Sequence, residues 1–214
     1  MKSFFEIDSL ASKFLTSVCN LILVNILFII TCIPIITIGA SICGLYKVLF
    51  EILNKEEVSV FSDYLKEFKR CFGKSTVVWI PMIVITLFFA LEIYWILAGL
   101  AGTAQWMMVP ILLVEVLICC LGIYYFPLLA IFDNTAKESL KNAVLLGIGN
   151  LPTTIMIFMI HFVLFILMAR GTPLSVVLGS LAVFMGIATV ELLCAFFIRR
   201  VIPASTKLEI EDDE

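Results

Sequence analysis

The fold is decided by residues Ser75–Leu100, STVVWIPMIVITLFFALEIYWILAGL, a run with one charged side chain, Glu92. A membrane-spanning helix needs about 20 apolar residues, because the hydrocarbon core offers no partner to unpaired backbone groups. The whole chain is similar, with 62% hydrophobic and 14% charged residues among 214. A soluble fold of this size cannot bury so much apolar surface. The sequence therefore predicts an all-α, polytopic transmembrane helix bundle.

Five further apolar runs accompany this one. They cover Lys13–Ile33, Ala40–Leu53, Gln105–Phe132, Leu151–Ala169 and Pro173–Ile198. The run Ala40–Leu53 is the shortest and contains Lys47, so five spans are the alternative to six. We predict a single transmembrane domain over residues 1–208, followed by an acidic tail at 209–214 that we expect to be disordered.

The six-span count places thirteen of the 14 Lys and Arg residues on one side of the membrane. These residues are Lys2, Lys13, Lys47, Lys55, Lys66, Lys69, Arg70, Lys74, Lys137, Lys141, Arg199, Arg200 and Lys207. Only Arg170 falls on the other side. Loops rich in Lys and Arg stay in the cytoplasm, so we predict a plasma-membrane protein with both termini cytoplasmic. Five spans would move Lys2 and Lys13 outside, which the same rule disfavours.

Two cytoplasmic loops are predicted to form short interfacial helices. In the first, aromatic and basic side chains recur on opposite faces at helical spacing. The candidate partner-docking residues of this helix are Phe61, Tyr64, Lys66, Phe68, Lys69 and Arg70. The helix is interpreted either as a membrane-surface anchor or as a docking surface for a protein. In the second loop, Thr135 and Glu138 have the spacing of a capping box, which predicts a helix start.

Polar side chains inside the apolar runs are candidates for an intramembrane site, since their burial in lipid is costly. They are Asn25, Glu92, Glu115, His161 and Glu191. A rise of 1.5 Å per residue places His161 and Glu191 in the inner half, where they can meet. One interpretation is a path for protons or cations. The other is a set of hydrogen bonds that hold the helices together.

The seven cysteines form no C-x-x-C pair and have no histidine at metal spacing, so we interpret them as small hydrophobes. The sequence contains no recognisable catalytic motif, and its single histidine excludes a multi-histidine metal centre. We therefore expect no enzymatic activity, no cofactor and no metal. A basic domain for nucleic acid is also missing from the sequence.

Four segments of the first third resemble the YesL-like family of small bacterial integral membrane proteins of unknown function. They are Pro34–Ala40 (PIITIGA), Leu45–Leu49 (LYKVL), Phe61–Tyr64 (FSDY) and Phe68–Phe72 (FKRCF). The family typically shows P-x-x-T-I-G-P-A and F-x-D-F-x-x-x-F-x-x-N-F, whereas this chain has Ala40-Ser41 for Pro-Ala and Cys71 for Asn.

The YesL-like resemblance implies no particular activity and no catalytic residue. Members are often encoded beside carbohydrate-uptake systems, which implies an accessory or scaffolding role in the lipid bilayer. The partner would be a transporter complex or a second copy of the chain. The alternative hypothesis is a small-solute or ion-coupled carrier or channel that uses the intramembrane Glu and His residues.

Overall fold

The computed structural model of the protein describes residues 2–54, 58–98, 104–171 and 173–202. Its helices are α1 (Lys2–Cys32), α2 (Ile38–Asn54), α3 (Val60–Leu97), α4 (Met108–Ile131), α5 (Ala136–Gly149), α6 (Leu151–Ala169), α7 (Pro173–Leu181) and α8 (Ile187–Val201). Short 3₁₀ turns at Ile35–Thr37 and Ala104–Met107 precede α2 and α4, and a π-helical segment, Ala182–Gly186, joins α7 to α8. The predicted all-helical bundle is confirmed, and the tail at 209–214 lies outside the described residues.

The chain is a membrane protein, and its described residues contain five helical segments long and apolar enough to cross a bilayer. They are Leu15–Cys32, Ile35–Asn54, Val60–Leu97, Met108–Ile131 and Leu151–Ala169. The sixth predicted span is also helical, but the π-helical segment divides it into α7 and α8. A π turn widens the helix locally and interrupts the regular hydrogen-bond ladder.

Helix α2, which contains the shortest predicted span, is the centre of the bundle. In its apolar segment 56% of the residues are buried, against at most 22% in the other four. It packs against α1, α3, α4 and α8. Gly44 permits the approach of α3, because a Cβ there would lie 3.0 Å from the carbonyl oxygen of Tyr64. Protein, rather than lipid, surrounds much of α2. The helix can therefore be short and can contain Lys47.

The first predicted interfacial helix forms one continuous element with the apolar run that follows it. Helix α3 runs without a break for 38 residues, about 57 Å at 1.5 Å per residue. That length is nearly twice the hydrocarbon thickness of about 30 Å. Gly73 interrupts the apolar pattern but does not end the helix. The first turns of α3 bury Tyr64 and Cys71 completely against the neighbouring helices.

The second predicted interfacial helix, α5, begins at the expected capping box. Thr135 Oγ1 accepts a hydrogen bond from the Glu138 N–H at 3.3 Å, and the Glu138 carboxylate accepts one from the Thr135 N–H at 2.9 Å. However, α5 packs along α4 and buries Ser139, Ala143 and Gly147. Small side chains on this stripe allow close helix contact. Helix α5 is therefore part of the bundle as well as part of its surface.

Candidate functional site

An open groove lies at one end of the bundle, between α2, the first turns of α3 and the end of α4. Its volume is about 560 Å³. We call it the charged groove, and its lining residues are Lys47, Glu51, Asp63, Lys66, Glu67, Arg70, Ala130, Ile131 and Asp133. Three cations and four carboxylates thus face one space, and Lys47 and Glu51 form an ion pair at 3.3 Å.

Arg70 connects α3 to the end of α4 inside this groove. Its Nε donates to Glu67 at 2.9 Å, its Nη1 donates to Asp133 at 2.9 Å, and its Nη2 donates to the carbonyl of Leu129. Lys74 donates to the same Asp133 oxygen at 2.6 Å. Hydrogen bonding and charge from Lys74, together with the charge of Arg70, hold the pKa of Asp133 below its usual value. The guanidinium group of Arg70 is therefore engaged in contacts within the chain.

Only part of the predicted docking helix is available to a partner. Tyr64 is fully buried, where its hydroxyl hydrogen-bonds with Thr31 at 2.5 Å and donates to the Ser41 carbonyl at 3.3 Å. Phe68 packs against the core. The remaining exposed side chains are Phe61, Lys66 and Lys69, which we call the exposed docking residues.

A second polar site lies where α2, α6 and α8 meet. His161 Nε2 lies 3.0 Å from Glu191 Oε1, which confirms the expectation that these two residues meet. The hydroxyl of Tyr46 donates to the other Glu191 oxygen at 2.6 Å. Three helices are therefore joined through one carboxylate. We call His161, Glu191 and Tyr46, together with Cys194, the intramembrane cluster.

The hydrogen-bond partners of His161 define the proton inventory of this cluster. Its Nδ1 lies 2.9 Å from the carbonyl oxygen of Ile157, which can only accept, so Nδ1 holds a hydrogen. Nε2 and the Glu191 oxygen then need one further proton between them to form their contact. The pair is therefore electrically neutral overall, either as imidazolium and carboxylate or as imidazole and carboxylic acid. Neutrality suits a site inside a membrane.

Cys194 joins the cluster, although the sequence pattern indicated only a small apolar side chain. One ligand atom each from His161, Glu191 and Cys194 lie within 4.8 Å of one another. Cys194 is fully buried and lies one helical turn after Glu191. The only local signal was the i, i+3 spacing of Glu191 and Cys194, because His161 comes from another helix and is distant in sequence.

Asn25 is a structural partner of the π-helical segment. Its Nδ2 donates to the Ala182 carbonyl at 3.0 Å, and its Oδ1 accepts from the Ala188 N–H at 3.0 Å. A π turn disturbs the ladder of backbone bonds, and a buried backbone group without a partner is costly. The fully buried Asn25 amide supplies both a donor and an acceptor. This contact explains the polar residue in the middle of α1.

The other two predicted intramembrane residues do not join the cluster. Thr86 donates to one Glu115 oxygen at 3.2 Å, which links α3 to α4. Glu92 is half-buried, and no hydrogen bond among the described residues links it to His161 or Glu191. A continuous path through Glu92, Glu115, His161 and Glu191 is therefore not formed by direct contacts among the described residues.

Comparison with known proteins finds one similarity, to a family described as "Protein of unknown function, DUF624". The family model matches residues 21–93, which include the last third of α1, all of α2 and nearly all of α3. The match thus contains Asn25, Tyr46 and most of the charged groove. Searches among curated proteins and among solved structures each found no match. The chain is similar to an uncharacterised family over this region, and the YesL-like resemblance stays a prediction.

Proposed function

We propose that this protein is a non-enzymatic accessory or scaffolding subunit of the bacterial plasma membrane. Its charged groove docks a partner in the cytoplasm. The observation that supports this proposal most is the groove itself, an open space of about 560 Å³ lined by charged side chains. The exposed docking residues, Phe61, Lys66 and Lys69, lie on the first turns of α3 beside it.

The proposed orientation places the charged groove and both termini in the cytoplasm. Lys47, Lys66 and Arg70 line the groove, and Arg199 Nη1 donates to the Leu53 carbonyl at 2.8 Å, near the same end of α2. Concentration of cations at one end supports this orientation through the positive-inside rule. Labelling of single introduced cysteines by a membrane-impermeant reagent in intact cells tests it. Labelling of a cysteine introduced at position 66 would place the groove outside the cell and contradict the proposed orientation.

The partner we propose is a subunit of a carbohydrate-uptake system, as the YesL-like resemblance implies. The groove supports a protein partner because it presents both signs of charge. Complementary charges across an interface set orientation and speed association. Ion pairs exposed in the groove contribute little to folding and can exchange for pairs with a partner.

Co-purification of the full chain from its native membrane tests the docking proposal. The K66E/K69E double variant reverses two exposed charges, whereas K137E/K141E reverses two charges on α5, outside the groove lining. We expect transporter subunits to accompany the wild-type chain and K137E/K141E but to be lost from K66E/K69E. Equal recovery with all three chains would contradict docking through the groove.

The second candidate function is an ion-coupled carrier, which the His161–Glu191 contact favours. A neutral pair that holds one proton can release it when a coupling ion or solute arrives. Glu191→Gln removes this proton, and Glu92→Gln is the matched control because Glu92 does not contact the pair. Proton-coupled flux in proteoliposomes should fall only in Glu191→Gln. Unchanged flux in that variant would exclude this coupling role.

A further inference from the structure

We propose that His161, Glu191 and Cys194 form a binding site for Zn²⁺ or a similar divalent transition-metal cation between α6 and α8. The proposal goes beyond the docking function and does not depend on it. Its basis is the convergence of Nε2, a carboxylate oxygen and Sγ within 4.8 Å of one another. These are a nitrogen, an oxygen and a sulfur donor, the three kinds of atom that bind zinc in proteins.

The distances within the cluster are close to those of a coordinated ion. Ligand atoms around a tetrahedral Zn²⁺ are about 3.3–3.6 Å apart, as follows from metal–ligand bonds of about 2.0–2.3 Å. His161 Nε2 and Glu191 Oε1 are already 3.0 Å apart. The sulfur of Cys194 is within 4.8 Å of one ligand atom of each of these two residues, so a shift of about 1 Å completes the set. Three protein ligands leave the fourth position open to water.

The neighbours of the proposed ligands hold them in a suitable orientation. A histidine that binds a metal usually donates its other ring N–H to a carbonyl or carboxylate, which fixes the tautomer. His161 does so through Nδ1 and the Ile157 carbonyl at 2.9 Å, so Nε2 faces the cluster. The Tyr46 hydroxyl holds the second Glu191 oxygen at 2.6 Å, which leaves the first oxygen for the cation.

The charge of the occupied site favours this location in a membrane. A carboxylate and a thiolate together neutralise one divalent cation, and the imidazole is neutral. Metal ligands must be deprotonated, so binding releases the Cys194 thiol proton and the proton shared by His161 and Glu191. One cation therefore replaces two protons, and the site is neutral before and after. A neutral complex avoids the cost of an unpaired charge inside the bilayer.

The donor set also selects among cations. Mg²⁺ and Ca²⁺ require oxygen ligands, and this site offers only the oxygens of Glu191. Sulfur and imidazole donors favour Zn²⁺ and the related first-row transition metals. We therefore expect Zn²⁺ and Co²⁺ to bind in the presence of excess Mg²⁺.

Cobalt binding by the full chain in lipid nanodiscs tests this site. We expect one Co²⁺ per chain, with tetrahedral d–d bands and a thiolate-to-cobalt charge-transfer band that Zn²⁺ abolishes. Cys194→Ser should remove the charge-transfer band, whereas Cys119→Ser should keep it, because Cys119 is exposed on α4. Absence of stoichiometric binding in the wild type, or an unchanged band in Cys194→Ser, would overturn the proposal.

Cys194 is buried, so two further variants test the site independently of whether Cys194→Ser folds. His161→Gln changes a partly exposed side chain and should weaken Co²⁺ binding at least tenfold. Tyr46→Phe removes only the hydrogen bond to Glu191 and should weaken binding about tenfold, with the charge-transfer band retained. Equal affinity in His161→Gln and wild type would overturn the site. A pH indicator should record two protons released per Zn²⁺, and release of none would also overturn it.

Discussion

The charged groove and the intramembrane cluster handle polar side chains in opposite ways, although α2 contributes to both. Lys47 lines the groove, where it pairs with Glu51, whereas the preceding residue, Tyr46, donates to Glu191 inside the bundle. At the open side of the groove, 42% of the Lys47 side chain and 77% of the Asp133 side chain are exposed, so water screens their ion pairs, which are individually weak. In the cluster, Tyr46, His161 and Glu191 have defined hydrogen-bond partners, and the His161–Glu191 pair is neutral. Burial in the bundle thus decides how much each polar contact contributes to stability.

The largest effect is expected from Asn25, whose fully buried side chain makes hydrogen bonds to two backbone groups. Asn25→Ala should lower the free energy of unfolding by about 2–4 kcal/mol, since each buried group left unpaired costs about 1–3 kcal/mol. The Ala182 carbonyl and the Ala188 N–H each lose the hydrogen bond to Asn25. Denaturant titration in mixed micelles measures the change. Asn142→Ala, at an exposed position of α5, is the control and should change little.

Glu191 should distinguish the loss of a charge from the loss of hydrogen bonds. Glu191→Ala removes the partner of both Tyr46 and His161, so we expect a cost of about 1–3 kcal/mol. Glu191→Gln can still accept from Tyr46 and donate to His161 Nε2, so its cost should be below about 1 kcal/mol. The same titration measures both. Equal costs would show that charge, rather than hydrogen bonding, holds the cluster together.

Two glycines test whether α2 must approach α3 closely to support both regions. Gly44→Ala should destabilise the protein by about 1–3 kcal/mol, because its Cβ would lie 3.0 Å from the Tyr64 carbonyl oxygen. Gly73→Ala, with nothing within 4 Å of its Cβ, should stabilise α3 by up to about 1 kcal/mol. Thermal unfolding of both variants measures the difference. Similar midpoints would contradict the close approach.

The smallest effect is expected in the charged groove. Asp133→Asn should change stability by less than about 1 kcal/mol, and high salt should reduce the difference further. Because the folded-state pKa of Asp133 is below its ordinary value of 3.8, this contribution is complete above pH 3.8 and is lost as pH falls through the lowered pKa. Unfolding midpoints of wild type and variant at several pH values measure it. A larger effect near neutral pH would place Asp133 in a stronger contact.

The elements with strong local signals were predicted well from the sequence. Thr135 and Glu138 identified the start of α5, since a capping box needs only residues three apart. The long apolar runs identified helices because their composition suits only lipid or a buried core. The first interfacial helix was predicted from polar residues that contrast with the apolar run that follows. Composition marks a change of environment there, whereas the backbone of α3 continues through it.

The candidate sites were predicted only in part, because they depend on contacts between distant residues. Helical rise alone brought His161 and Glu191 to a similar depth, and the structure confirms their contact. Their neighbour Cys194 was overlooked because cysteine spacing in sequence has no relation to spacing across helices. Tyr64 and Arg70 were predicted as docking residues from their helical face, yet both are occupied by contacts within the chain.

The sequence by itself determined that this is an all-helical membrane protein, because solvation in lipid depends on composition along the chain. Only the tertiary structure decided that α2 is the central helix, that Asn25 completes the π-helical segment and that His161, Glu191 and Cys194 converge. Those features depend on which helices pack against one another. A period of 3.6 residues defines a face of a helix, but not the neighbour that the face meets.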